Sequence, residues 1–93
     1  MKHSFKKTYV FNGQEHNDLE LDVEKLTVLD YELAEAQFKS LNRGFVGAIE
    51  LESGFIKQIM INTAKKPLEF FNGLPAHEFI TLKNEVLGFL MGM

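Results

Sequence analysis

Phe5-Lys6-Lys7-Thr8-Tyr9-Val10-Phe11-Asn12-Gly13, followed by Asp18-Leu19-Glu20-Leu21-Asp22-Val23, is the stretch that decides the fold. The first segment is rich in aromatic and β-branched residues and places Phe5, Tyr9 and Phe11 on one side. Asn12-Gly13 is a strong turn signal, because both residues tolerate a positive φ. The second segment alternates strictly, with Leu19, Leu21 and Val23 on one face and Asp18, Glu20 and Asp22 on the other. Together they predict an N-terminal β-hairpin. The connection over residues 12–17 is longer than a two-residue turn, so the register stays open.

Helical signals follow the hairpin. Thr27 with Asp30 three residues later resembles a capping box, and Asp30, Glu32 and Glu35 suit the positive end of a helix dipole. Tyr31, Ala34, Phe38 and Leu41 follow helical spacing, with Leu33 on a broadened face, and Asn42-Arg43-Gly44 reads as the stop. Residues 45–51 fit either a strand or a broken helix, given Gly47 and the β-branched content. A helix is expected over about residues 49–64, with Lys65 and Lys66 at its C-terminal end and Pro67 closing it. Residues 67–71 form a short helical piece ended by Asn72-Gly73. Pro75 opens the last helix, whose stripe runs Phe79, Leu82, Val86 and Phe89 or Leu90. The expected fold is α+β: an N-terminal β-hairpin followed by a bundle of three to four α-helices, in one domain over residues 1–93.

Composition narrows the function. Ninety-three residues allow one modest core, and a 45% hydrophobic, 25% charged composition is that of a folded domain. Cysteine is absent, which removes disulfides, thiolate metal sites and a cysteine nucleophile. The basic start of the chain is followed over residues 8–15 by a stretch too short and too polar for a signal peptide, and no apolar run is long enough to span a bilayer. A cytoplasmic protein is expected. Residues 15–35 hold eight acids against Lys25, whereas residues 39–66 hold five basic residues against Glu50 and Glu52. No basic patch with interleaved aromatics points to nucleic acid.

No constellation for chemistry emerges. His3, His16 and His77 are far apart and lack metal-ligand spacing, and His77 beside Glu78 reads as a solvated residue of a first helical turn. Gly44 and Gly47 lack the rest of a phosphate loop. The alternation Asp18, Glu20, Asp22, Glu24 lacks the glycine turn and terminal glutamate of a calcium loop and reads as the outer face of the hairpin. No enzyme, cofactor or metal is expected.

The order of these elements carries a resemblance. An Asn-Gly hairpin, an acidic strand, a Thr27-Val28-Leu29-Asp30 helix start, then Phe71-Asn72-Gly73-Leu74-Pro75 and a helix ending Glu85-Val86-Leu87-Gly88-Phe89-Leu90 resemble the Mu-like tail assembly chaperones of tailed bacteriophages. The resemblance covers residues 9–91. It departs at Thr81, where the family tends to carry an acid. It implies a protein of the bacterial cytoplasm that binds the tape measure protein, keeps its apolar helices soluble and helps recruit the tail tube protein.

Nine Phe and four Met in so short a chain suggest more apolar side chains than one interior needs. Ile56, Ile59, Phe79, Val86 and Phe89 are assigned to the core. The candidate partner-binding residues are Phe55, Met60, Phe70, Phe71, Phe89, Leu90 and Met91, Phe89 standing in both groups; Met and Phe near a chain end suit an adaptable apolar contact. A homo-oligomer is possible on the same grounds. Two other classes compete: a structural tail or assembly protein, marked by stable self-polymerisation, and a regulatory module acting through its acidic hairpin, marked by salt-sensitive binding.

Overall fold

The computed structural model describes residues 1–41 and 53–92, apart from the side chain of Leu41. The expected helix stop at residues 42–44, the segment 45–51, the first residues of the 49–64 helix and the Leu41 contact therefore lie outside the described residues. The fold is α+β, as expected. An antiparallel hairpin, β1 (Lys2–Phe11) and β2 (Gln14–Glu20), leads through a 3-10 turn at Val23–Lys25 into helices α1 (Val28–Leu41), α2 (Ser53–Ala64), α3 (Leu68–Asn72) and α4 (Ala76–Leu90).

The hairpin is tighter and longer than the sequence suggests. Its turn is only Asn12-Gly13, at φ 51° and 76°, so Phe11 pairs directly with Gln14. The extra length sits instead in a bulge: Ser4 pairs with Asp18 and Tyr9 with His16, leaving residues 5–8 of β1 opposite Asn17 alone. Thr8 Oγ1 donates to Asn17 Oδ1 across this gap at 2.7 Å. An odd register shift of three exchanges faces on one strand. Phe5, Tyr9 and Phe11 therefore stay on the inner side of β1, while β2 points His16 inward before the bulge and Leu19 after it. The strand ends at Glu20 rather than Val23. Leu21 and Val23 are nevertheless buried beside Leu19, because Asp22 N–H leaves the ladder to donate to the Thr63 carbonyl at the end of α2.

Helix α1 starts with the expected reciprocal cap. Asp30 N–H donates to Thr27 Oγ1 at 3.2 Å, and Thr27 N–H donates to Asp30 Oδ2 at 3.1 Å. Ala34 and Phe38 are buried and Tyr31 is half-buried; Leu33 is 55% exposed, so the inner face is narrower than expected. Helix α2 turns Phe55, Ile56, Ile59 and Met60 wholly into the core. It ends on Lys65 at φ 57°, a left-handed cap in which Lys65 N–H donates to the Ile61 carbonyl.

Short helix α3 delivers Phe70 to the centre of an aromatic cluster. The rings of Tyr9, Phe11, His16 and Phe71 lie edge-on to it at 5.1, 5.3, 5.1 and 5.2 Å, each such pair contributing roughly 0.5–1.5 kcal/mol beyond burial. Tyr9 Oη donates to the Phe70 carbonyl at 2.7 Å. Burial raises the pKa of this phenol, so it remains a donor. Gly73 makes the approach possible, since a Cβ there would stand 2.6 Å from the Tyr9 oxygen.

This contact predicts a coupled pair of substitutions. Tyr9→Phe should cost about 1 kcal/mol, one net hydrogen bond. Gly73→Ala should cost clearly more with Tyr9 present than with Phe at position 9. Urea denaturation of the two single variants and the double variant measures the coupling; simple additivity would contradict the steric account.

Candidate functional site

Among the described residues, a buried polar group joins the hairpin to α4. Glu78, in the first turn of α4, is 4% exposed, and so is His3. Glu78 Oε1 lies 3.3 Å from His3 Nε2, and Glu78 Oε2 accepts the Lys6 N–H at 2.6 Å. His3 Nδ1 contacts Glu85, two turns further along α4. Lys6 lies within the bulge, so Glu78 accepts an amide from the stretch where β1 and β2 lose register. Burial pushes the Glu78 carboxyl up, but the Lys6 amide, the His3 hydrogen bond and the charges of His3 and His77 together hold its pKa below the usual 4.5. Both His3 nitrogens face carboxylate oxygens, Nε2 that of Glu78 and Nδ1 that of Glu85. The polar atoms of His3 and Glu78 are engaged within the fold, while Glu85 is 42% exposed, so the group holds β1 on α4.

The sequence reading places the histidines apart and does not link His3 to Glu78 or Glu85. No local signal joins residues so far apart in the chain. His77 is exposed, as expected of a first-turn residue, and its carbonyl accepts from Thr81 Oγ1.

Four of the seven expected partner-binding residues require correction. Phe55, Met60 and Phe70 are fully buried and Phe71 is 2% exposed. Phe55 meets the edges of Tyr31 and Phe38, Phe70 packs beneath the hairpin against Tyr9, Phe11 and His16, and Phe71 lies edge-on to Phe70. These side chains belong to the interior. The other three lie together at the end of α4: Phe89 is 46% and Met91 54% exposed, and Leu90 is half-buried against the core. The core assignment of Phe89 is thereby corrected also. Leu82, Val86 and Leu90 follow one another at four-residue intervals, so Leu90 continues the inner stripe and Phe89 is rotated about 100° away from it. Phe79 packs half-buried on the core, and Ile56, Ile59 and Val86 are buried as expected.

A second apolar surface escapes the sequence reading. On α1, Val28 and Leu29 are each 75% exposed and Leu33 is 55% exposed. The spacing of Leu29, Leu33 and Ala36 would have revealed a stripe opposite Tyr31, Ala34 and Phe38. Clefts border this helix. One of about 330 Å³ is lined by Leu26, Asp30 and Leu33 with Asn62, Thr63 and Lys65. Gln37 bridges to α2 by accepting from Asn62 Nδ2 at 2.9 Å.

Glu20, Asp22 and Glu24, drawn from the acidic alternation, bring carboxylates within 4.8 Å of one another. The Met1 ammonium lies among them, 2.7 Å from Glu24 and 3.7 Å from Glu20. The Glu24 hydrogen bond raises the pKa of the ammonium, and the ammonium lowers that of Glu24. The group is thus an ion-paired corner of the hairpin. The buried Nε2 of His16 has no hydrogen-bond partner among the described residues, and its ring serves the aromatic cluster. No helix among the described residues is long and apolar enough to cross a membrane.

Comparisons with family models, with curated proteins and with solved structures each find no match for this chain.

The Glu78 geometry predicts a pH-dependent stability. A carboxyl with a lowered folded-state pKa stabilises the fold fully above the unfolded value of about 4.5, and that contribution fades as pH falls through the folded value. Glu78→Gln should therefore cost about 3 kcal/mol at neutral pH, and the gap to the parent protein should narrow below pH 4. Chemical denaturation across that range checks it; a gap independent of pH would show that the carboxylate charge is immaterial.

Proposed function

We propose that this chain is a non-enzymatic assembly factor of the phage tail-assembly-chaperone kind, acting in the host cytoplasm on the tape measure protein and favouring addition of tail tube subunits. The observation that carries the reading is the end of α4. Phe89 and Met91 stand about half exposed beside Leu90, outside the core cluster of the described residues. Apolar side chains gathered outside a core mark a contact surface. A methionine and a phenylalanine at the last turn of a helix adapt to varied apolar helices, as holding a long apolar client requires. The order of elements that underlies the family resemblance, with its hairpin, Gly73-Leu74-Pro75 and closing helix, also supports it.

In this reading the client's apolar helix faces rest against the α4 tip. Covering one Phe or Met side chain contributes roughly 1.5–3 kcal/mol, enough for reversible holding and too little for permanent capture. Reversibility matters, because the client must be released into the growing tail.

Co-expression tests the proposal. The chain should keep an otherwise insoluble fragment of a tape measure protein in solution, and Phe89→Ser with Met91→Ser should reduce the soluble fraction several-fold. Because both side chains lie outside the core, the variant should lose no more than about 1 kcal/mol of stability. Unchanged solubilisation by the doubly substituted, folded variant would refute the α4 tip as the contact.

A further inference from the structure

The outer face of α1 carries a seam that the other described residues leave exposed. Leu29, Leu33, Ala36 and Ser40 recur at intervals of four, three and four residues, the spacing of a coiled-coil seam. At about 100° per residue they lie opposite Tyr31, Ala34 and Phe38, which face α2. All four are exposed, Leu29 by 75% and Leu33 by 55%.

We propose that this face of α1 joins two copies of the chain in an antiparallel, two-fold symmetric dimer. The proposal is independent of the client-binding reading, because it concerns a different helix. Two features select a second copy. First, the seam is self-complementary in size: in antiparallel register Leu33 meets Ala36 of the second copy, and Leu29 meets its Ser40. Each large side chain faces a small one, which lets the helices approach closely. Second, the flank is self-complementary in charge. Glu32 and Lys39, both exposed, lie one heptad apart on the same edge of the seam. Antiparallel pairing sets Glu32 of each copy beside Lys39 of the other, giving two reciprocal ion pairs. A parallel pairing sets that edge against Asp30 and Gln37 and offers no such exchange.

The helix of 14 residues is about 21 Å long. Its contact is smaller than a standard interface of roughly 1,600 Å², so the dimer is weak and reversible.

Sedimentation equilibrium of the full chain, from low micromolar to millimolar concentration, tests this. The average mass should rise from 10.7 kDa towards twice that value. Glu32→Lys and Lys39→Glu should each weaken the dimer about fivefold by setting like charges together, and combining the two should restore it. Leu33→Lys should hold the chain monomeric, while circular dichroism shows its fold intact. A monomer at every concentration would overturn the proposal, as would dimerisation unaffected by Leu33→Lys or a double charge reversal that fails to rescue.

Discussion

The carboxylate of Glu78 holds the two halves of this domain together. A bulge is needed for β1 to keep Phe5, Tyr9 and Phe11 facing the helices while β2 changes face between His16 and Leu19. It has a cost, since it takes backbone amides out of the ladder beneath a helix. A buried amide without an acceptor is unfavourable by roughly 1–3 kcal/mol. Glu78 supplies an acceptor for the Lys6 amide with one oxygen and faces the buried His3 ring with the other, so one side chain ties the bulge to α4 and fixes that helix across the hairpin. With α4 placed, Leu82 and Val86 meet α2, and the core closes.

Around that polar join the packing is predominantly aromatic at one end and aliphatic at the other. Phe70 gathers Tyr9, Phe11 and His16 under the hairpin tip, while Ile56, Ile59, Met60, Leu82 and Val86 fill the space between α2 and α4. A domain of this size buries a limited share of its surface and has little stability in reserve. Against that background the apolar residues left outside are informative. Leu29 and Leu33 on α1, and Phe89 and Met91 at the tip of α4, sit on separate surfaces. The first is the surface proposed to pair with itself, and the second the one proposed to receive a client helix. A dimer through α1 would present two α4 tips to one extended client, raising its apparent affinity through multivalency.

Local signals were legible where local physics decides. Asn12-Gly13, the Thr27–Asp30 cap, the break at Pro67 and the start at Pro75 are each set by residues near in sequence, and the fold class followed from them. The strand register was not legible, because the bulge serves a contact with Glu78 on the last helix. Burial of Phe70 and Phe71 is illegible for a related reason. Two adjacent aromatic residues look surplus in a five-residue helix until the hairpin is seen to cover Phe70 and Phe71 to join the core. Phe89 and Leu90 differ by one position on the α4 wheel, and only the placement of α2 decides which points inward. Leu33 reads as inner-facing by its hydrophobicity, although Tyr31, Ala34 and Phe38 already supply that face.

The whole arrangement depends on Glu78 sealing the Lys6 amide of the bulge within the cooperative core. Amide hydrogen exchange at Lys6 reports on it directly. Lys6, though its side chain is exposed on a bulged strand, should exchange as slowly as the core amides of α2 and α4. Glu78→Gln should speed Lys6 exchange well beyond any change in global stability. Exchange of Lys6 in the parent protein at the rate of an open loop would contradict it.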